Sequence, residues 1–280
     1  MKKAGVLAAK PTDTFGLRLR RLLRRYLNVH VLRGVVGVVV FFAAWELAKP
    51  LGIPLLKEIP SPSEVAQEFI APEKGLFWRE KYLASWVISV FRITSAFLLA
   101  LLIGIPQGFA WGLSRKLKAV SFPVFETLRP IPPLAYLPVA VYMMPTIELS
   151  IIAVIFLGAY FCLVINVVNG VYAIDMSYIR AALSLGAKRK HIFWKIILPG
   201  TMPSIATGLG VGMGIAWMEI VAAEMIAGRA GLGFFTWESH VGGNTAGAVA
   251  GMISIGVAGA FCSAIVWRLG TKLTPWKRLF

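Results

Sequence analysis

An all-α, polytopic membrane protein with six transmembrane helices is the fold class this sequence predicts, and three observations predict it. Hydrophobic residues make up 58% of the chain, charged residues only 15%, and the mean hydropathy is +0.73, too apolar for a soluble domain of 280 residues. Between charged side chains run uninterrupted stretches of 22 residues (Ile93 to Ser114), 26 (Leu149 to Ile174), 23 (Ile196 to Met218) and 29 (Ser239 to Trp267), where about 20 residues of helix cross the hydrocarbon core. Backbone groups in lipid must pair internally, so these stretches are helices, and no period-2 alternation argues for a barrel.

The spans fall at about 31–49, 84–113, 119–145, 148–172, 200–228 and 245–268. Glu46 interrupts the first near one end. The third carries Glu126 and Arg129 early and then runs uncharged from Pro130 to Ile147. Because Lys and Arg are retained on the cytoplasmic side, charge sets the orientation. Residues 1–30, loop 114–118, segment 173–199 and the end from Arg268 hold 20 of the 29 basic residues, with only Asp13 and Asp175 as acids, whereas residues 50–83 hold four basic residues and five acidic ones. Both termini inside satisfy this asymmetry. The chain therefore reads as a basic cytoplasmic N-terminal segment (1–30), a membrane domain (31–268) with a cytoplasmic loop at 173–199, and a basic cytoplasmic tail (269–280). RLRRLLRR at 18–25 is an orientation signal that also touches anionic lipid headgroups, and topology explains the net charge of +16 without nucleic acid as a partner.

Outside the membrane, Ser61-Pro62-Ser63-Glu64 has the form of a capping box with proline at the first helical position, opening a short helix with Val65 and Phe69 on one face. Gly231 to Asn244 is the other external segment. Small residues mark helix packing in lipid: Gly208, Gly210, Gly212 and Gly214 stud the fifth span, and Gly247 and Gly251 form a GxxxG in the sixth. Pro106, Pro130, Pro132, Pro133 and Pro138 are expected to break regular helix near the second and third spans, with the freed carbonyls buried in protein or facing water.

Catalytic chemistry finds no support. No Ser-His-Asp arrangement, paired carboxylates or HExxH is present, His30, His191 and His240 are scattered, and Cys162 and Cys262 lie in spans, away from any metal-ligand spacing. Metal ligands, a bound cofactor and enzyme activity are therefore not expected of this chain. A phosphate-cradling GxxxxGK[ST] loop is also absent, so any energised work draws on a partner or an ion gradient.

The polar segment AIDMSYIRAALSLGAKRKHIFWKIILP, set between two membrane spans, is the most informative part of the chain. Asp175 is placed to cap a helix over Met176–Ser184, and Gly186 stands where a left-handed residue ends one. A second short helix is expected over about Lys188–Ile197, stopped by Pro199 at the membrane surface, with Pro203 tolerated near the next helix start. Ala181 and Ala182 give the first helix a patch with almost no bulk. Docking of another protein and an amphipathic helix lying on lipid both fit these residues.

Ala181-Ala182, Gly186, then Ile196, Leu198 and Pro199 resemble the EAA loop of ABC-importer permeases. SPSEV (61–65), GIPQGFAWGLSRKLK (104–118), LRPIPPLAYLP (128–138) and IVAAEMIAGRAGLGFF (220–235) are similar to the branch importing nitrate, bicarbonate, taurine and alkanesulfonates. The resemblance covers about residues 60–268 and implies a type I (MetI-like) permease subunit of a bacterial inner membrane. It implies a second permease subunit, commonly identical, two ATP-hydrolysing subunits that use the ATP, and an extracytoplasmic solute-binding protein. It assigns ATPase coupling to Tyr178, Arg180, Ala181, Ala182, Gly186 and Pro199. Arg180 stands where that family carries Glu, reversing a charge beside the contact patch.

Charged groups at membrane depth are costly, which makes Arg92, Glu219 and Glu224 the translocation-pathway candidates. An ion pair between Arg92 and a Glu, and a cation facing an anionic cargo, are equal readings of the first; in the second, Arg92 lends positive potential to the path. Arg229, at the outer end of the fifth span, reads as a solvated end or as a group that meets an anion leaving the binding protein. Two function classes stand: a permease subunit of an ATP-driven importer of small anions, and an ion-gradient-driven secondary transporter or channel. The loop spacing favours the first, and neither an internal repeat nor an intramembrane carboxylate cluster speaks for the second.

Overall fold

The computed structural model describes residues 29–49, 59–70 and 75–275. Among them every regular element is helical. Two units partition the chain, one through Ser63 and one from Glu64.

In the first unit, α1 (Val29–Ala48) is the expected first span. Glu46, its interrupting charge, accepts hydrogen bonds from the Ser63 N–H (3.1 Å) and hydroxyl (2.7 Å). The basic segment proposed for residues 1–30 lies almost wholly outside the described residues.

Around one central helix the second unit is built. The division falls inside α2 (Pro62–Ile70), which begins at the proline and buries Val65 but leaves Phe69 exposed; after it come α3 (Gly75–Leu113), α4 (Arg115–Leu128), α5 (Leu137–Met143), α6 (Ile147–Tyr172), α7 (Met176–Ser184), α8 (Arg189–Ala227), α9 (Leu232–Val241) and α10 (Thr245–Leu273). Among the described residues, α3 from Arg79, α6, α8 and α10 are long and apolar enough to cross a membrane. Helix α6 is buried on two sides: Ile151, Val154, Ile155, Ala159, Leu163 and Val167 meet Ile93, Ala96, Phe97 and Ala100 of α3 and Ile205, Leu209, Met213 and Ala216 of α8 in one core. On each of these helices the buried positions recur at three- and four-residue intervals, the spacing of one helical face.

Small residues set the separation. A Cβ at Gly108 would lie 2.6 Å from the Val167 Cβ, one at Gly112 would lie 2.8 Å from the Val171 Cβ, and one at Gly208 would lie 2.7 Å from the Asn166 Cβ. Gly104, Gly108 and Gly112 thus form the stripe joining α3 to α6. In the fifth span only alternate glycines pack: Gly208 and Gly212 face α6, while Gly210 and Gly214 have nothing within 4 Å. Gly251 packs on Thr236 and Phe235 of α9, but Gly247 accommodates the Asn244 side chain that caps its own helix.

Several boundaries differ from expectation. The third span is not one helix over 119–145: α4 ends at Leu128, a 3-10 turn covers Pro133–Tyr136, and α5 resumes at Leu137. Three prolines between 130 and 133 remove donors and exclude helical geometry before each of them. Pro106 behaves otherwise, riding inside α3 without ending it. Pro199 does not stop the second loop helix either. Arg189–Ile192 passes through a π turn at Phe193–Ile197, closed by Leu198 N–H on the Phe193 carbonyl, and continues to Ala227. The wider π turn displaces the backbone against which the Pro199 ring would clash, so the helix survives. Gly231–Asn244 holds a ten-residue helix, α9, and α10 runs to Leu273, five residues into the segment read as a tail.

Candidate functional site: an exposed elbow and a buried charge cluster

At one end of the bundle α7 and the start of α8 form an elbow. Asp175 caps α7 by accepting the Ser177 N–H at 2.8 Å, and these Ser177 contacts hold its carboxyl below the usual carboxylate range. At the other end of α7 the Ala187 N–H reaches the Ala182 carbonyl (3.0 Å) and the Gly186 N–H reaches the Leu183 carbonyl (2.9 Å), while Gly186 itself sits at φ +77°. These are the paired bonds of a Schellman turn, which only glycine enters without steric cost.

Outward the elbow presents Met176, Tyr178, Leu183 and Leu185, all more than half exposed, together with Arg180 and Ala181. Ile179, Ala182 and Ala187 turn the other way and pack on the bundle core. The two alanines of the expected patch are therefore divided, Ala181 outward and Ala182 inward. Tyr178, Ala181 and Pro199 meet along an open cleft of about 620 Å³ between α7 and the root of α8, bordered by Asp175 and Lys195. Gly186 lies apart from it and acts on the turn.

At the opposite end of the same helices four elements bring charges together. Arg92 of α3 is 0% exposed. Its Nη1 donates to Glu224 Oε1 of α8 (2.8 Å) and to the Ala230 carbonyl (2.6 Å), while Nε and Nη2 grip both oxygens of Glu148, in the first turn of α6, at 2.7 and 2.5 Å. Glu224, 1% exposed, also accepts from the Ser89 hydroxyl (2.8 and 2.9 Å) and the Gly233 N–H (2.9 Å), and Ser89 in turn accepts the Leu232 N–H at 2.8 Å. Gly231, at φ +117°, lies so close that a Cβ there would coincide with the Glu224 carboxylate. A buried ion is tolerated only when charge and hydrogen-bonding capacity are both met; Arg92 and Glu224 balance one to one inside, and the second negative charge, on Glu148, stands at the exposed edge.

Of the two readings of Arg92, the structure has the ion pair. A contribution of positive potential is not what it supplies, because the guanidinium is enclosed and faces two carboxylates. Glu219 stands apart from the cluster, half-buried against Gly158 and hydrogen-bonded to the Leu134 backbone. It borders the broken third span, where Pro132, Leu134, Pro138 and Val141 with Ile226 form an open apolar groove of about 750 Å³. Sequence reasoning missed Ser89 and Glu148. Ser89 sits one turn before Arg92, and Glu148 follows the Thr146 N-cap; a polar pair at i, i+3 in an apolar span and an acid in a capped first turn were the available signals.

Comparison with known proteins identifies the family of the chain. Residues 100–279 match the family model of the binding-protein-dependent transport system inner membrane component, which takes in the elbow, Glu148 and Glu224. The taurine transport system permease protein TauC of Escherichia coli is 35% identical over 267 residues, covering 93% of this chain and 95% of that protein. The nitrate import permease protein NrtB of Leptolyngbya laminosa is 34% identical over 203 residues, 72% of this chain and 71% of that one. Among solved structures, a chain of the MetNI methionine ABC transporter in an inward-facing conformation aligns with a TM-score of 0.60 at 17% identity, covering 70% of this chain and 97% of that chain, which shows a shared fold.

Proposed function

Since the chain belongs to the binding-protein-dependent transport system inner membrane component family, we propose that two copies of it form the pathway of an ATP-driven importer for a small anion of the nitrate, bicarbonate, taurine or alkanesulfonate class. A separate solute-binding protein delivers the cargo from outside. Two ATP-binding subunits sit on the cytoplasmic side, where the elbow and both termini lie, and they use the ATP; this chain binds none and needs no cofactor.

The observation that carries this reading is the elbow. A nine-residue helix capped at both ends by its own residues, with Met176, Tyr178, Leu183 and Leu185 exposed beside Arg180, offers apolar knobs and a cation to a protein cleft. Tyr178, Arg180 and Ala181 make that contact, Gly186 sets its angle, and Ala182 and Pro199 join it to the bundle. The substrate class rests on the relatives: TauC and NrtB are permeases for taurine and nitrate. Small helix-lining residues and the groove beside Glu219 are the parts of this chain on which a cargo path would draw.

Co-expression with its ATP-binding subunit tests the reading. The subunit should co-purify in a fixed ratio, and proteoliposomes containing both should accumulate nitrate, bicarbonate, taurine or an alkanesulfonate only with ATP and the binding protein present. Accumulation by the chain alone, driven by an ion gradient, would overturn it.

A further inference from the structure

The two carboxylates that share Arg92 stand on unequal terms. Glu224 is enclosed and accepts from Ser89, Gly233 and Arg92. The Glu148 side chain is 58% exposed, and its two bonds to the guanidinium are the hydrogen bonds seen at its carboxylate. If Glu148 withdraws, it regains water, Arg92 Nε and Nη2 turn to the water that takes its place, and Nη1 keeps Glu224 and the Ala230 carbonyl in a pair balanced one to one. If Glu224 withdrew, a buried arginine, a buried serine and the Gly233 amide at the start of α9 would all lose a partner. Removing one partner from a buried pair is costly, and of the two carboxylates only Glu148 can exchange its bonds to the guanidinium for bonds to water.

The halves also join different things. Through Gly233, Leu232 and Ala230 the buried half fixes the connection between α8 and α9 to α3. The exposed half adds the corner at the start of α6, which is itself tied to the broken third span by the Ser150 hydroxyl on the Ala140 carbonyl (3.0 Å). We infer that Glu148 is a releasable positioning residue: the Arg92–Glu148 contact latches the α5–α6 corner to the α8–α9 connection, and its opening admits cargo at this end of the bundle while the Arg92–Glu224 half stays closed. The inference rests on the importer reading above, and it places the latch at the end of the helices opposite the elbow.

Glu148→Gln separates the two halves, because it removes the charge from the exposed jaw and leaves the buried pair intact. In the complete importer, with ATP-binding subunits and binding protein, on a background of Cys162→Ser and Cys262→Ser, spin labels at Met144→Cys and Arg229→Cys report the distance across the latch. The variant should assemble normally, shift that distance to longer and broader values without nucleotide, and hydrolyse ATP without binding protein about two- to fivefold faster, the factor by which a charge-assisted hydrogen bond outweighs a neutral one, with less uptake per ATP. Label distances and coupling ratio unchanged from the parent would overturn the inference, and so would failure of the variant to assemble, since Glu148 would then be a fixed structural member. Should the parent show no ATP-coupled uptake, the importer reading falls, and the label distances still decide whether Glu148 is a latch.

Discussion

The two ends of this bundle solve the problem of polar groups in opposite ways. At the cluster, the buried Arg92, Glu224 and Ser89 draw partners from four separate elements, with Glu148 alone at the exposed edge. At the elbow every capping bond runs between residues within five positions of each other, and the apolar side chains point away from the bundle. One end is held by the fold; the other holds its own shape and presents Met176, Tyr178, Leu183 and Leu185 outward. A transporter that turns chemical work in a neighbour into movement in lipid needs both.

Disrupting the cluster should have the largest effect. Arg92→Ala leaves Glu224 buried with its charge unbalanced, and thermal unfolding in detergent should show a loss of about 3–5 kcal/mol. Replacing the set together by Arg92→Met, Glu148→Gln and Glu224→Gln should recover much of that loss, because no ion is then buried; no recovery would mean that geometry rather than charge organises this end. Next comes the packing between the ends: Gly208→Val, whose Cβ would meet Asn166 at 2.7 Å, should cost about 1–3 kcal/mol, whereas Gly210→Val, with nothing within 4 Å, should unfold like the parent.

At the elbow the ranking of stability and activity reverses. Gly186→Asp forces a side chain into φ +77°, a local strain of about 1 kcal/mol, so membrane insertion and unfolding temperature should stay near the parent while ATP-driven uptake is lost. Undiminished uptake would break the contrast between the ends. The smallest effect belongs to Asp175→Ala, read as a lower protection factor against hydrogen exchange at Ser177. The parent should show the same change with acid: the folded carboxyl titrates below its ordinary value, so its contribution is complete above about pH 4 and is lost as pH falls through the lower folded value.

Legibility in the sequence follows the same division. The elbow could be read residue by residue, with α7 at Met176–Ser184, Asp175 as cap and Gly186 left-handed, because its determinants are local. The four long spans were legible from composition, and the break in the third from its prolines. What could not be read was long-range: Glu148 and Glu224 lie 56 and 132 positions from Arg92, and no local pattern says which acid an intramembrane arginine will meet. The stripe Gly104-Gly108-Gly112 was visible at a four-residue interval yet passed over within a longer motif. Pro199 failed for another reason: the rule that proline ends a helix assumes α geometry upstream, and Phe193–Ile197 does not have it.

That π turn carries a mechanical corollary. From Arg189 to Ala227 the chain is a single rod of 39 residues, roughly 58 Å end to end at helical rise, running from the root of the elbow to Glu224 and the connection it clasps. A π turn is one residue longer than the α turn it replaces, so trimming a single residue from 193–197 would twist everything on its elbow side by about 100° about the rod axis. The heading of the elbow's outward face is thus written in a surplus residue some thirty positions from the buried carboxylate at the rod's other end.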